Sequence, residues 1–531
     1  MRGIFCKGFK NSADTNKFFS IFTKKPKPMR FFSLLFIFGM LFSISSCRSD
    51  FSTVPSSGKL GFSQDTVFLD TVFSTISSGT YLLKVYNQSK NDIHIPNIQF
   101  SKGLNSKYRM TVDGMQGESN KIFKNVVLLA RDSMYVFIET TPNIADANPD
   151  DFLYTDNIEF DSGTNLQKVA LLTLVKDAVF LYPKRLSNGN TETVTFDDTA
   201  LSGFYLDEND AVNGNELHFT NQKPYVIYGY ATVPEGKTVT FDAGARVYFH
   251  SDSGLIVPQS ASLQCNGKAS ETIKQENEII FEGDRLEAGY VDIPGQWSTI
   301  WLRNGSTNHS INHVTIKNAS IGLRIDHHDE STVSIKNSQI YNASNYGILT
   351  QNAHITGENI VINTAGQAAL ACTYGGNYKF THCTFANYWN TPNQFAVTLN
   401  NYKPGLNPVA SDLVQATFNN CIIYGSYSNE LYLDKNSQAS FNYLFNNCLL
   451  KSEAGSSNPL YNFEDKTHYN AIILNQNPHF FDIAKNKLNI ENTSAAFAKG
   501  NPAYIIPLDI NGKPRTSPPD LGAYQSMPFP K

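Results

Sequence analysis

The chain has 531 residues, too many for one ordinary domain and enough for two, or for a solenoid with an appendage. Its net charge is −4 and its 43 Lys and Arg are scattered, which argues against a basic surface of the kind that binds nucleic acid or anionic membranes. Aromatic residues make up 12%, mostly in alternating runs that suit β-structure, and patterns of period 3.6 are absent beyond the N-terminal region.

In chain order, Lys24, Lys25, Lys27 and Arg30 precede an apolar run from Phe31 to Ile44, and Ser45-Ser46 lead to Cys47. A basic flank, about 14 apolar residues and small residues before a cysteine read as a secretory signal over 1–46, too short for a spanning helix. Met29-Arg30 directly before the apolar run suggests a true start at Met29, with 1–28 either untranslated or a long basic flank. Ile44-Ser-Ser-Cys47 resembles the bacterial lipobox, which implies lipidation of Cys47; an ordinary signal with a chance cysteine is the other reading. Arg48 in place of Asp implies the outer membrane, on its periplasmic or cell-surface face, and the aromatic- and Asn-rich chain resembles Bacteroidetes lipoproteins. Residues 47–60, with Val54-Pro-Ser-Ser-Gly58, read as a lipidated tether.

Over 61–180, strand-length runs such as Thr66-Val-Phe-Leu69, Tyr81-Leu-Leu-Lys-Val-Tyr86 and Val169-Ala-Leu-Leu-Thr-Leu174 alternate with turn residues. About seven strands in this length fit a β-sandwich. The strand Thr80–Asn87 with its Asn-rich turn resembles Ig-like domains of the ASH type, which implies a spacer or docking module without chemistry. Residues 181–222 read as a connector, in which Asp197, Asp198, Asp207, Glu208 and Asp210 suggest a solvated acidic turn. Calcium is conceivable there, but the order of a calcium loop is missing.

From 223 to 490, short strands punctuated by glycines repeat. Val314-Thr-Ile316-Lys-Asn318 returns 19 residues later as Val333-Ser-Ile335-Lys-Asn337, with a weaker echo ending at Asn359. Strands recurring at about 20 residues mark a stacked coil. Asn318 and Asn337 are expected as turn residues, and the Val and Ile before them as stacked core. Gly254-Leu-Ile-Val257, Ile279-Ile-Phe-Glu-Gly283 and these repeats resemble right-handed parallel β-helix lipoproteins. The expected class is therefore all-β, an N-terminal β-sandwich followed by a right-handed parallel β-helix. Residues 491–531 read as a cap over the open end, with Arg515 paired to Asp509 or Asp520. Cys265, Cys372, Cys383, Cys421 and Cys448 have no metal spacing, and the phrase Phe-x-x-Cys recurs at 383, 421 and 448; buried free thiols are expected, with disulfides as the alternative.

Three places interrupt the frame. Arg324-Ile-Asp326-His327-His328-Asp329-Glu330 contains an Ile-Asp-His phrase that resembles a pectate-lyase motif, and Asp326, His328 and Glu330 alternate as a conceivable acid/base set. The lyase's basic segment is missing, so a polar turn competes. The loop 283–295 is long enough to protrude; Asp284, Arg285, Tyr290 and Asp292 with Trp297 are candidates for sugar contacts, while Trp301, inside an alternating strand, reads as core. Tyr374 and Trp389 with nearby asparagines suggest a sugar strip or, alternatively, structural ladders. The leading expectation is a monomeric, non-catalytic module that binds glycan or serves as surface structure, with no metal or cofactor and no nucleic acid. The alternative is a lyase or hydrolase of acidic polysaccharide.

Overall fold

Alternation builds the first domain. In Tyr81–Asn87, Leu83 and Val85 point inward and Leu82 outward; in Ser133–Thr140, Met134, Val136 and Ile138 are buried and Tyr135 and Phe137 exposed. These strands lie centrally in an antiparallel sheet between Leu60–Phe62 and Tyr108–Val112. A second sheet faces it, with Leu153–Phe160 antiparallel to both Ile93–Phe100 and Gln167–Lys176, and Val54–Pro55 and Thr66–Phe73 as parallel edges. One apolar cluster fills the space between them. The computed structural model describes residues 52–326, 331–453 and 457–529, so the signal, Cys47 and His327–Glu330 lie outside the described residues.

The solenoid has three faces of parallel strands, and the handedness of such crossovers is right-handed as a rule. Among the described residues face I contains eleven strands, including Arg246–Phe249, Ile279–Gly283, Val314–Lys317 and Gln339–Ala343. Face II contains Gly254–Val257, Trp297–Leu302 and Ala319–Ile325; face III contains Ser262–Asn266, Ser310–Asn312 and Val333–Lys336. Tyr346–Glu358 and Ala368–Thr381 run unbroken through the corner between faces II and III. The first coil starts earlier than expected: Val179–Leu181 and Thr199–Tyr205 already pair with Tyr225–Ile227 and Tyr230–Thr232. The supposed connector is thus mostly coil. Its Asp207 and Asp210 cap the turn N–H groups of Asn209, Val212 and Asn213 at 2.9 Å.

The twin phrases do not stack on each other. Val314–Lys317 lies on face I, where Ile316 pairs with Ile340, whereas Val333–Lys336 lies on face III, where Ile335 pairs with Ile311 and Gly357. The weaker echo at Asn359 is the true repeat. Asn337 and Asn359 share one corner with Asn312, linked by amide bonds of 3.1 and 2.9 Å. Asn318 shares the other with Asn342 at 3.3 Å. Asn318, Asn337, Asn342 and Asn359 all have φ between 49° and 65°, a conformation that asparagine tolerates and that closes each corner.

Inside, Phe380, Phe418, Phe445 and Tyr469 stack from coil to coil with centroids 5.3, 4.9 and 5.6 Å apart. Cys383, Cys421 and Cys448 form the adjacent row; they are buried free thiols, as are Cys265 and Cys372. Burial pushes the Cys421 thiol well up, which leaves it unreactive. The last coil is closed by Leu460, Tyr461 and Phe463, with the Tyr443 and Tyr469 hydroxyls donating to the Leu460 carbonyl at 2.8 and 2.6 Å.

The C-terminal segment does not cover that end. It runs along the outside of face I, where Leu488, Ile510, Leu521 and Tyr524 cover Val361, Ala386 and Ile422. Arg515 forms no ion pair with Asp509 or Asp520 among the described residues. Its Nη2 donates to Asn359 Oδ1 at 2.8 Å and to the carbonyls of Gly522 and Ala523, terminating an asparagine ladder. Asp509 and Asp520 accept backbone N–H groups instead, from Lys513, Gln525, Ala498 and Ser526.

Candidate functional site

Two tryptophans in Trp297–Leu302 would share a face under strict alternation. A register shift between Thr299 and Ile300 breaks the phase, so Trp297 points in and Trp301 points out. Trp297 is 1% exposed, stacks on Phe249 at 4.3 Å and donates its indole N–H to the Lys317 carbonyl at 2.9 Å. The expected roles are therefore exchanged: Trp297 is core and Trp301 is the surface aromatic.

Trp301 sits in a charged frame on face II. Its indole N–H donates to Asp326 Oδ2 at 2.6 Å, and the Arg324 and Arg303 guanidiniums lie 4.1 and 4.5 Å from its ring. Arg324 also donates to both Asp326 oxygens at 3.1 Å, so this carboxylate is held as an orienting group rather than a free base. Arg303 reaches Asp197 at 2.6 Å, a residue carried by the hairpin of Thr193–Phe196 and Thr199–Tyr205, and packs over Phe196. Its Nη1 is buried with no partner. His328 and Glu330, the other members of the expected acid/base set, lie outside the described residues. Lys336 is on face III, paired with Glu358 at 2.9 Å.

Trp301 opens a straight row across six coils: Trp301, Arg324, Leu349, Ala371, Thr398 and Tyr432 are in register on face II. Tyr432 packs on Phe395 at 5.0 Å. The row spans about 24 Å, from the spacing of neighbouring strands. It has an aromatic at each end, with the half-buried Arg324, Leu349 and Thr398 and the buried Ala371 between. The alternation around Tyr432 and Phe395 was the available signal for the far end, but it does not reveal the face without the coil register.

The first part of the loop 283–295 docks on the sandwich, while Val291 and Ile293 further along it are 50 and 47% exposed. Asp284 pairs with His250 at 2.8 Å, and burial pushes its carboxyl up. Arg285 forks onto Glu287 and lies 3.8 Å over the Tyr290 ring. The Ala288 N–H donates to Asp70 of the sandwich at 3.4 Å, and Asp292 accepts from Asn342 at 3.3 Å. The cleft between the domains, about 290 Å³, is lined by Ile76, Tyr81, Tyr228, His250, Leu286 and Glu287. Most of the polar groups expected to meet a sugar are spent inside the molecule. Tyr374 and Trp389 also fail to form one strip. Tyr374 is at the corner between faces II and III, under Lys403 at 4.5 Å, and Trp389 follows a face I strand. Both are half-buried.

No protein-family model and no curated protein matches this chain. Among solved structures, an ASH/PapD-like domain of human CEP192 is similar at 14% identity, covering 24% of this chain and 91% of that one, with TM-score 0.14. A family 123 glycoside hydrolase from Clostridium perfringens is similar at 11% identity over 22% of this chain and 26% of that one, with TM-score 0.15. The catalytic unit of a GH87 α-1,3-glucanase from Streptomyces thermodiastaticus is similar at 9% identity over 69% and 73%, with TM-score 0.26. At these values the likenesses carry no argument about what this chain does.

Proposed function

We propose that this chain is a monomeric, lipid-anchored protein of a bacterial outer membrane whose solenoid binds glycan along face II without cleaving it. The observation that carries the reading is the row from Trp301 to Tyr432. Aromatic faces receive the apolar faces of sugar rings, and the short side chains of Ala371 and Thr398 leave room ahead of Tyr432 for a chain lying across the coils. The anchor rests on the basic flank, the apolar run and Ile44-Ser-Ser-Cys47.

The test is affinity electrophoresis and retention on a panel of neutral and acidic polysaccharides, with release of reducing or unsaturated ends followed in parallel. Trp301→Ala is expected to weaken retention about tenfold or more, the loss of one well-placed ring. Trp297→Ala instead is expected to lower thermal stability, since it empties a core position. New chain ends from any substrate would overturn the non-catalytic reading. Unchanged retention in Trp301→Ala would overturn the site.

A further inference from the structure

Both outer surfaces of the sandwich carry an ion pair, and they differ in how their exposed aromatic side chains are grouped. One carries the Lys168–Glu159 ion pair at 2.9 Å together with Gln99, Asn97 and Lys124, with Phe68 on its edge strand. The other, the outer face of the four-stranded sheet, presents Leu82, Tyr135 and Phe137 at 47, 42 and 41% exposure, with Tyr86 half-buried beside them and the Arg109–Glu139 ion pair at 2.6 Å at its margin next to Phe137. These residues are neighbours by register: Leu82 is opposite Phe137 and Lys84 opposite Tyr135. Lys84 Nζ lies 5.2 Å from the Tyr135 ring and 5.4 Å from the Tyr86 ring, and the Tyr135 and Phe137 rings are 6.3 Å apart. A patch of two tyrosines, a phenylalanine and a leucine around one snorkelling lysine has the composition of a membrane–water interface, where Tyr and Lys sit among headgroups and Phe and Leu dip below.

The chain's path places this patch near the anchor. The N-terminal segment first meets the sandwich at Val54, paired with Ile93 of the other sheet, and then crosses to Leu60 and Gly61, paired with Asn87 and Tyr86 at the same end. Six residues lie between Cys47 and Val54, seven steps along the chain with a reach of at most about 25 Å. Leu82 lies a further four residues along the strand from Tyr86, about 14 Å. We propose that the outer face of the four-stranded sheet, through Leu82, Tyr86, Tyr135 and Phe137, docks on the headgroup–acyl boundary of the membrane that holds the lipid anchor. The sandwich is then a foot that orients the solenoid, and not a neutral spacer. The tether's reach rests on the anchor proposed above; the patch itself does not.

The experiment uses the whole mature chain in two forms, lipidated and with Cys47→Ser. The Cys47→Ser chain is incubated with phosphatidylethanolamine–phosphatidylcholine vesicles and sedimented, alone and as a Tyr135→Ser, Phe137→Ser double variant whose melting curve is checked. Vesicle partition is expected to fall about tenfold in the double variant and to change little with salt, because the contact is apolar. In the lipidated protein reconstituted in vesicles, an environment-sensitive fluorophore on Leu82→Cys is expected to shift to the blue, and one on Lys168→Cys to remain as in water. Equal emission at both positions, or equal partition of parent and double variant, overturns the docking. The mass of the N-terminal peptide reads the anchor separately, so an unlipidated Cys47 would remove the anchor while leaving vesicle binding by the soluble form to be judged on its own.

Discussion

Replacing Phe418 with alanine is expected to cost about 3–5 kcal/mol, the range for emptying a buried aromatic position. Phe418 is fully buried between Phe380 at 5.3 Å and Phe445 at 4.9 Å, and meets Phe385 edge-on at 6.1 Å. The site cannot collapse easily. Its backbone is tied in parallel register to Phe380 on one side and Phe445 on the other, so the coils cannot close over the void. Along the stack each coil packs on its neighbours, so the loss falls on the two interfaces around Phe418, while the C-terminal segment still bridges coils on both sides through Arg515 on Asn359 and Tyr504 on Asn446. Denaturant unfolding should show the change in midpoint, and hydrogen exchange should show protection lost over the coils from about residue 413 to 474 while the sandwich keeps its own. A change below about 1 kcal/mol would show that the aromatic stack is not a main support of these coils.

The second large effect concerns pH. Glu430 is fully buried where the chain passes from face I to face II; Oε1 accepts the Tyr427 N–H at 2.8 Å and Oε2 has no partner. Burial pushes its carboxyl up to about 8 from an ordinary 4.5, with the Tyr427 N–H and the Lys451 charge opposing. The folded protein therefore holds a proton that the unfolded chain has released. Stability falls as pH rises from about 4.5 to about 8 and is flat beyond. One pKa unit is about 1.4 kcal/mol, so the whole slope has a ceiling of roughly 4–5 kcal/mol. Glu430→Gln keeps the shape and removes the ionisation. Its melting temperature is expected to match the parent near pH 5 and to exceed it near pH 9. Parallel curves across that range would mean that the carboxyl ionises in the fold without cost.

Much of the frame is legible in the chain because it is local. A period of two makes strands, asparagine tolerates the left-handed corner, and Phe-Asn-Asn-Cys spells an inward ring, a corner and an inward thiol. The candidate site was hidden for a related reason. A bulge of one position between Thr299 and Ile300 carries no composition signal, yet it reverses which tryptophan faces outward. Likewise the 19-residue echo between Asn318 and Asn337 is a likeness between two faces, while the stacked partners are 22 to 24 residues apart.

What the sequence by itself determined is the class, all-β with a sandwich and then a parallel solenoid, together with the corner residues and the buried thiols. The tertiary structure alone decided which strand stacks on which, and therefore which side chains share a face. It also decided that loop 283–295 ties the domains together, and that the C-terminal segment lies along face I with Arg515 on Asn359. The division follows range. Side-chain period and corner conformation are set within a few residues, whereas register between coils is set by hydrogen bonds between segments 20 to 40 residues apart, and one shifted position exchanges inside for outside.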